Sequence, residues 1–115
     1  MTVTVSDVRG VPVARVEGDL DTDSAPELAE AISGAVPNAA LGLVLDLTAT
    51  AYLDSAGVKL LFVTAERLRR RQQRLAVVVA PDSLTRDVIT VTDLGSYASV
   101  ASGLAGALRG LRETD

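Results

Sequence analysis

The 115-residue sequence has no cysteine, no histidine and no tryptophan. Without cysteine there are no disulfides and no thiolate chemistry. Without both residues, zinc sites of the usual kinds and imidazole acid-base catalysis are excluded as well. Aromatic residues are scarce: Tyr52, Phe62 and Tyr97 are all there are, too few for a base-stacking surface. Positive charge is also in deficit, with 11 Lys and Arg against 15 Asp and Glu and a net charge of −4. Phosphate backbones are held by a cationic surplus, so direct nucleic-acid binding is not expected and a partner protein is. No apolar run approaches the roughly 20 residues that cross a bilayer, and the opening MTVTVSDVRG has none of the regions of a signal peptide. From these absences the chain is expected to be cytoplasmic, with no membrane span. No Gly-x-x-x-x-Gly-Lys loop is present, which leaves nucleotide hydrolysis without support.

What is there is aliphatic. Hydrophobic residues make up 48% of the chain, and with so few aromatics the core must consist of Val, Leu, Ile and Ala, a composition suited to buried strands covered by helices. The length fits one domain over residues 1–115. Thr2 to Val8 alternates Val with polar residues, and Val11 to Val16 resumes the pattern after Arg9-Gly10, which reads as a hairpin. Ser24, Pro26 and Glu27 read as the cap, proline and acid of a helix start, the helix running to about Val36. Leu41 to Leu47 reads as a central strand buried on both faces, with Asp46 near its end. From Ala56 to about Gln72, Val58, Leu61, Phe62, Ala65 and Leu68 form one buried stripe of a helix. Leu75 to Ala80 is another buried strand. Pro81 with Asp82 or Ser83 opens a helix to about Asp93, a weak strand lies around Tyr97 to Val100, and a glycine-interrupted helix covers Ser102 to Leu111. The order β-β-α-β-α-β-α-β-α predicts an α/β fold: a single mixed sheet with about four helices packed on it, joined by right-handed crossovers.

The most informative segment runs from Tyr52 to Leu61, between a buried strand and an amphipathic helix. Ser55 falls at or beside the helix N-cap, where unpaired N–H groups and the helix dipole favour an oxygen acceptor or a phosphate. Asp54 puts a negative charge beside that hydroxyl, and Gly57 leaves room for another backbone to come close. The plain alternative is that Ser55 is an ordinary helix cap. Likewise Gly18-Asp19-Leu20-Asp21 reads equally as a turn with a charged rim. Arg67, Arg69, Arg70, Arg71 and Arg74 read as a solvated helix end favoured by the dipole.

Taken together, these segments resemble the STAS domain family, and within it the bacterial anti-anti-sigma factors, the antagonists of anti-sigma factors. Asp54-Ser55-Ala56-Gly57-Val58 resembles their Asp-Ser-Ser/Thr-Gly-Leu segment, Gly18-Asp19-Leu20-Asp21 their Gly-Glu-Leu-Asp, and Leu43 to Leu47 the strand before their switch serine. Asp87-Val88-Ile89 through Thr92-Asp93-Leu94 matches their third helix more loosely. The resemblance implies a STAS-like fold and a partner-switching role. An anti-sigma serine kinase binds the unphosphorylated antagonist and so frees a sigma factor. Phosphate placed by that kinase on Ser55 releases the antagonist, and a serine phosphatase restores it. By position Asp21, Asp54, Ala56 and Gly57 surround the switch, and Asp19, Asp21, Ser55 and Lys59 face the partner. Ala56 departs from the family's second hydroxyl residue, and Lys59 from a small residue that is frequent there.

No enzyme, cofactor or metal is implied, since no base stands ready to activate Ser55. The rival use of the same domain is a constitutive adaptor, a subunit of a transport ATPase or of a stress-signalling assembly, without a phospho-switch. A monomer or weak dimer is expected.

Overall fold

The computed structural model describes residues 1–113. β1 (Thr2–Val8) and β2 (Val11–Leu20) form the expected antiparallel hairpin, with Val8 opposite Val11. Arg9 (φ 54) and Gly10 (φ 83) both take left-handed backbone, the two-residue geometry whose twist matches that of paired strands. The Asp7 carboxylate accepts the Gly10 N–H at 3.1 Å and fastens the turn.

β2 leads through α1 (Ala25–Ile32) to β3 (Gly42–Asp46), which lies parallel beside it. α1 stops four residues short of the expected Val36. Ser33 ends it and Gly34 follows in left-handed backbone (φ 76), the usual glycine stop, while Val36 is buried without being helical. A short strand not expected from the sequence then appears. β4 (Thr50–Leu53) takes over from β3 along the same side of β2, pairing with Gly18 to Leu20 with a register shift between Gly18 and Asp19. The buried Thr50 hydroxyl donates to Val16 O at 2.9 Å across this junction.

α2 (Ser55–Arg70), β5 (Arg74–Val78), α3 (Leu84–Val91), a single 3₁₀ turn (Leu94–Ser96), β6 (Ser99–Ala101) and α4 (Leu104–Arg112) complete the chain. The result is a mixed α/β fold with one six-stranded sheet, ordered β1-β2-β3-β5-β6 with β4 paired to β2, parallel except for β1.

Strand alternation builds two cores. Ala14, Val16, Leu43, Leu45, Leu75 and Val77 face one side, where Leu28 of α1, Leu61, Ala65 and Leu68 of α2 and Ile89 of α3 cover them. Val13, Val44, Ala76 and Val78 face the other, covered by Ala107 and Leu111 of α4. Removing a fully buried Leu or Val from water contributes roughly 1.5–3 kcal/mol each, so these rows fix the strand register. The glycines of α4 serve the same packing: a Cβ at Gly110 would run into Ser99, so the helix lies close on β6. Because β2, β4, β5 and β6 are parallel and each is followed by a helix, all four helices start at one end of the sheet. In parallel α/β sheets that end carries the functional loops.

Candidate functional site

Two of those helix starts are joined directly. Asp54, in extended backbone, is the N-cap of α2, and its Oδ1 accepts the N–H groups of Ala56 (2.9 Å) and Gly57 (3.0 Å). Its Oδ2 reaches the loop after β2, accepting Thr22 N–H (3.1 Å) and the Thr22 hydroxyl (3.3 Å). Asp54 N–H in turn donates to Leu20 O at 3.2 Å. The Gly57 amide does most to hold the Asp54 carboxyl below its ordinary pKa; desolvation pushes the other way, and the Thr22 and Ala56 bonds reinforce the lowering. The group is therefore a carboxylate at neutral pH.

Gly57 allows this docking. A Cβ there would stand 2.7 Å from Leu20 O and 2.6 Å from Leu53 Cδ1, closer than van der Waals contact permits. The backbone that the glycine admits is that of Leu20.

At the start of α1 the sequence expectation fails. Ser24 occupies the N-cap position but its side chain caps nothing. Its Oγ accepts Asp21 N–H (2.9 Å) and shares its one proton between Asp19 O (2.8 Å) and Asp21 Oδ1 (3.0 Å). Asp21 Oδ1 takes the N–H groups of Asp23 (3.1 Å) and Ser24 (3.0 Å). The hydroxyl is spent on the loop, and the N–H groups that Asp21 accepts belong to that loop and not to the first turn of α1.

Ser55 is the first residue of α2, beside the cap. It is exposed and its hydroxyl makes no hydrogen bond among the described residues. One part of the sequence reading changes here. The amides of Ala56 and Gly57, expected to be open to a phosphate, are already taken by Asp54. Nor is Asp54 a loose charge next to Ser55, because both of its oxygens are engaged. No base is bonded to the Ser55 hydroxyl among the described residues, so a base to take its proton when the Oγ attacks would have to come from outside.

The sequence-selected residues thus gather at one place. Asp21 shapes the β2–α1 loop, Asp54 ties that loop to α2 through Thr22, Gly57 seats the helix, and Ala56 lends its amide to the cap. Asp19 sits at the end of β2 opposite Tyr52 of β4, exposed. Lys59 is one turn along α2, exposed and without an ion pair or hydrogen bond among the described residues. Sequence reasoning missed Thr22, which carries no local signal, and the apolar surface at the same end. Tyr52 is 55% exposed and Leu84, the first residue of α3, is 76% exposed. α3 packs on β4 through a Thr85 hydroxyl bond to Thr50 O (3.0 Å), which sets the two beside the site. Among the described residues no helix is long and apolar enough to cross a membrane.

A family model described as "Mlab, STAS domain" matches residues 3–110. The anti-sigma-F factor antagonist RsfB of Mycobacterium tuberculosis (strain ATCC 25618 / H37Rv) is 38% identical over 112 residues, covering 97% of this chain and 90% of its own. The anti-sigma-B factor antagonist of Listeria monocytogenes is 28% identical over 93 residues, 79% of this chain and 82% of its own. Among solved structures, an anti-sigma factor antagonist from Mycobacterium paratuberculosis superposes with a TM-score of 0.84 at 34% identity, covering 97% of this chain and 94% of that one. The unphosphorylated form of the anti-sigma factor antagonist SpoIIAA superposes with a TM-score of 0.70 at 20% identity, covering 98% and 100%, a likeness of fold.

Proposed function

The chain belongs to the STAS domain family, and from that premise we propose that it is an anti-sigma factor antagonist whose binding to an anti-sigma serine kinase is switched off by phosphate on Ser55. Unphosphorylated, it holds the kinase and so frees a sigma factor; a serine phosphatase restores it. The observation that carries this reading is the exposed, unpartnered Ser55 hydroxyl beside a cap that has already used the next two amides of the helix.

A phosphate on Ser55 brings a charge of about −1.5 to −2. With Asp54 occupying the Ala56 and Gly57 amides and Val58 N–H donating to Asp54 O, the new dianion is left only the amide of Ser55 itself in that first turn and stays largely directed at solvent, among the acids of the β2–α1 loop. A partner surface that meets Ser55, Asp19 and Asp21 then faces excess negative charge, and like charges across an interface cost several kcal/mol. The fold itself is left alone, because the cap and the Thr22 tether do not depend on the Ser55 hydroxyl. Tyr52 and Leu84 supply apolar contact beside the charged switch.

Lys59 lies four residues after Ser55, on the same helical face and leaning back toward the first turn. It offers a positive charge to the partner until phosphate draws it inward. Lys59→Glu therefore weakens binding of the unphosphorylated protein about threefold to tenfold, chiefly by slowing association, and reduces the salt dependence of the on-rate.

The test is a titration of the cognate anti-sigma kinase with three proteins. Wild type and Ser55→Ala bind alike, and Ser55→Asp binds about 100-fold more weakly, the equivalent of about 2.7 kcal/mol. Equal affinity for all three would overturn the switch and leave the constitutive adaptor.

A further inference from the structure

Three strands end the pairing of the sheet, and two of them are protected. β6 is three residues long, too short to template much. The outer side of β4 is covered by α3, whose Thr85 hydroxyl donates to Thr50 O. β1 is different. It is seven residues long, pairs with β2 on one side, and has no strand on the other among the described residues. A strand in that position presents a row of unpaired N–H and C=O groups.

The devices that normally block such an edge are missing from it. Thr2 to Val8 reads TVTVSDV, with no lysine, arginine or proline, one charge at Asp7, and β-branched residues throughout its first half. Val5, at its middle, is 44% exposed. The pairing of Thr2–Val8 with Glu17–Val11 has no register shift, so no bulge twists the edge away.

We propose that β1 pairs antiparallel with β1 of a second copy of this chain, joining two sheets into one across a two-fold axis near Val5. The strand suits its own reverse. With Val5 opposite Val5 of the partner copy, Thr4 meets Ser6 and Val3 meets Asp7. The two Asp7 side chains then lie four residues apart along the strands, roughly 13 Å, beyond the Debye length of about 8 Å in physiological salt. Parallel pairing in register would set Asp7 against Asp7, and like charges directly opposite are destabilising. A two-fold pairing uses both open edges and closes, so it stops at the dimer.

One strand on each side covers far less than the roughly 800 Å² per partner of a standard stable interface, so the dimer is weak and concentration-dependent. β1 and β4 lie on opposite sides of β2, which leaves Ser55 of each copy free for its own partner. The inference is independent of the phospho-switch.

Sedimentation and amide hydrogen exchange of the full chain across a concentration series test it. As concentration rises, the weight-average mass climbs from monomer to dimer and no further, and the outward amides of β1 become slower to exchange. Val5→Lys and, on the solvated side, Thr4→Lys each weaken the dimer more than about tenfold while melting as wild type does. Either variant suffices if the other folds poorly. A constant monomer mass to millimolar concentration, species larger than the dimer, or a dimer that survives both lysines overturns the proposal.

Discussion

Two serines stand at two helix starts on the same end of the sheet, and they have opposite fates. Ser24 is tied three ways, to Asp19 O, Asp21 N–H and Asp21 Oδ1. Ser55 is tied to nothing among the described residues. Neither hydroxyl caps its helix: Asp54 takes the first amides of α2, while Asp21 takes amides of the loop before α1. The difference lies in what remains for the hydroxyl. In the loop before α1 it is folded back into the chain as a structural strut, and at α2 it is left facing solvent. A switch residue has to be changed without cost to the fold, and only the second serine meets that condition.

The largest way to break the comparison is to separate the two helix starts. Gly57→Ala places a methyl group against Leu20 O, a backbone atom that cannot rotate away. Overpacking of this kind costs about 1–3 kcal/mol, and α2 lifts from the β2–α1 loop. The variant melts roughly 4–12 °C lower and its Thr22 and Asp54 resonances shift together in NMR spectra. Melting unchanged from wild type would mean that the close approach is not needed.

A smaller change sharpens the comparison. Ser24→Ala loses the strut and leaves Asp21 N–H without its acceptor, costing about 1 kcal/mol or roughly 4 °C, with kinase affinity unaffected. Ser55→Ala does the reverse, melting within about 0.5 kcal/mol of wild type. Thermal melts of the pair check this, and equal losses would erase the distinction.

The smallest effect is on acid stability. The Asp54 carboxyl titrates below its ordinary value because the folded state hydrogen-bonds its ionised form. That contribution is fully present above the unfolded pKa and is lost as pH falls through the lower folded one. Asparagine still caps α2 but cannot accept the Thr22 N–H with its NH₂ group. Asp54→Asn therefore melts somewhat lower at neutral pH and falls less steeply than wild type below pH about 4. Parallel acid limbs in the two proteins would contradict the assignment.

How much of this was legible follows the range of the interactions. The hairpin was, because Arg9-Gly10 between alternating runs is a local signal. So were β3, β5 and the buried stripe of α2, where Leu61, Ala65 and Leu68 are buried as expected and Val58 and Phe62 half-buried. β4 was not, since Thr50 to Leu53 is a strand only by pairing with β2 across a register shift. The end of α1 had its signal in Ser33-Gly34, outweighed in the sequence by the apolar Val36. The candidate residues Ser55, Asp54, Asp21 and Gly57 were picked out by position and by the family resemblance, and the structure brings them to one end of the sheet. The Thr22 tether that joins Asp54 to the β2–α1 loop was not, because it depends on a contact 32 residues apart in the chain.

The central claim is that the free serine is the one modified, and direct phosphorylation tests it. The chain is incubated with its anti-sigma kinase and ATP, its intact mass is measured, the site is mapped, and binding is measured before and after. The account predicts one phosphate, on Ser55 and not on Ser24, with loss of binding and spectral changes confined to residues around Ser55. No phosphate, phosphate elsewhere, or undiminished binding after modification of Ser55 would contradict it.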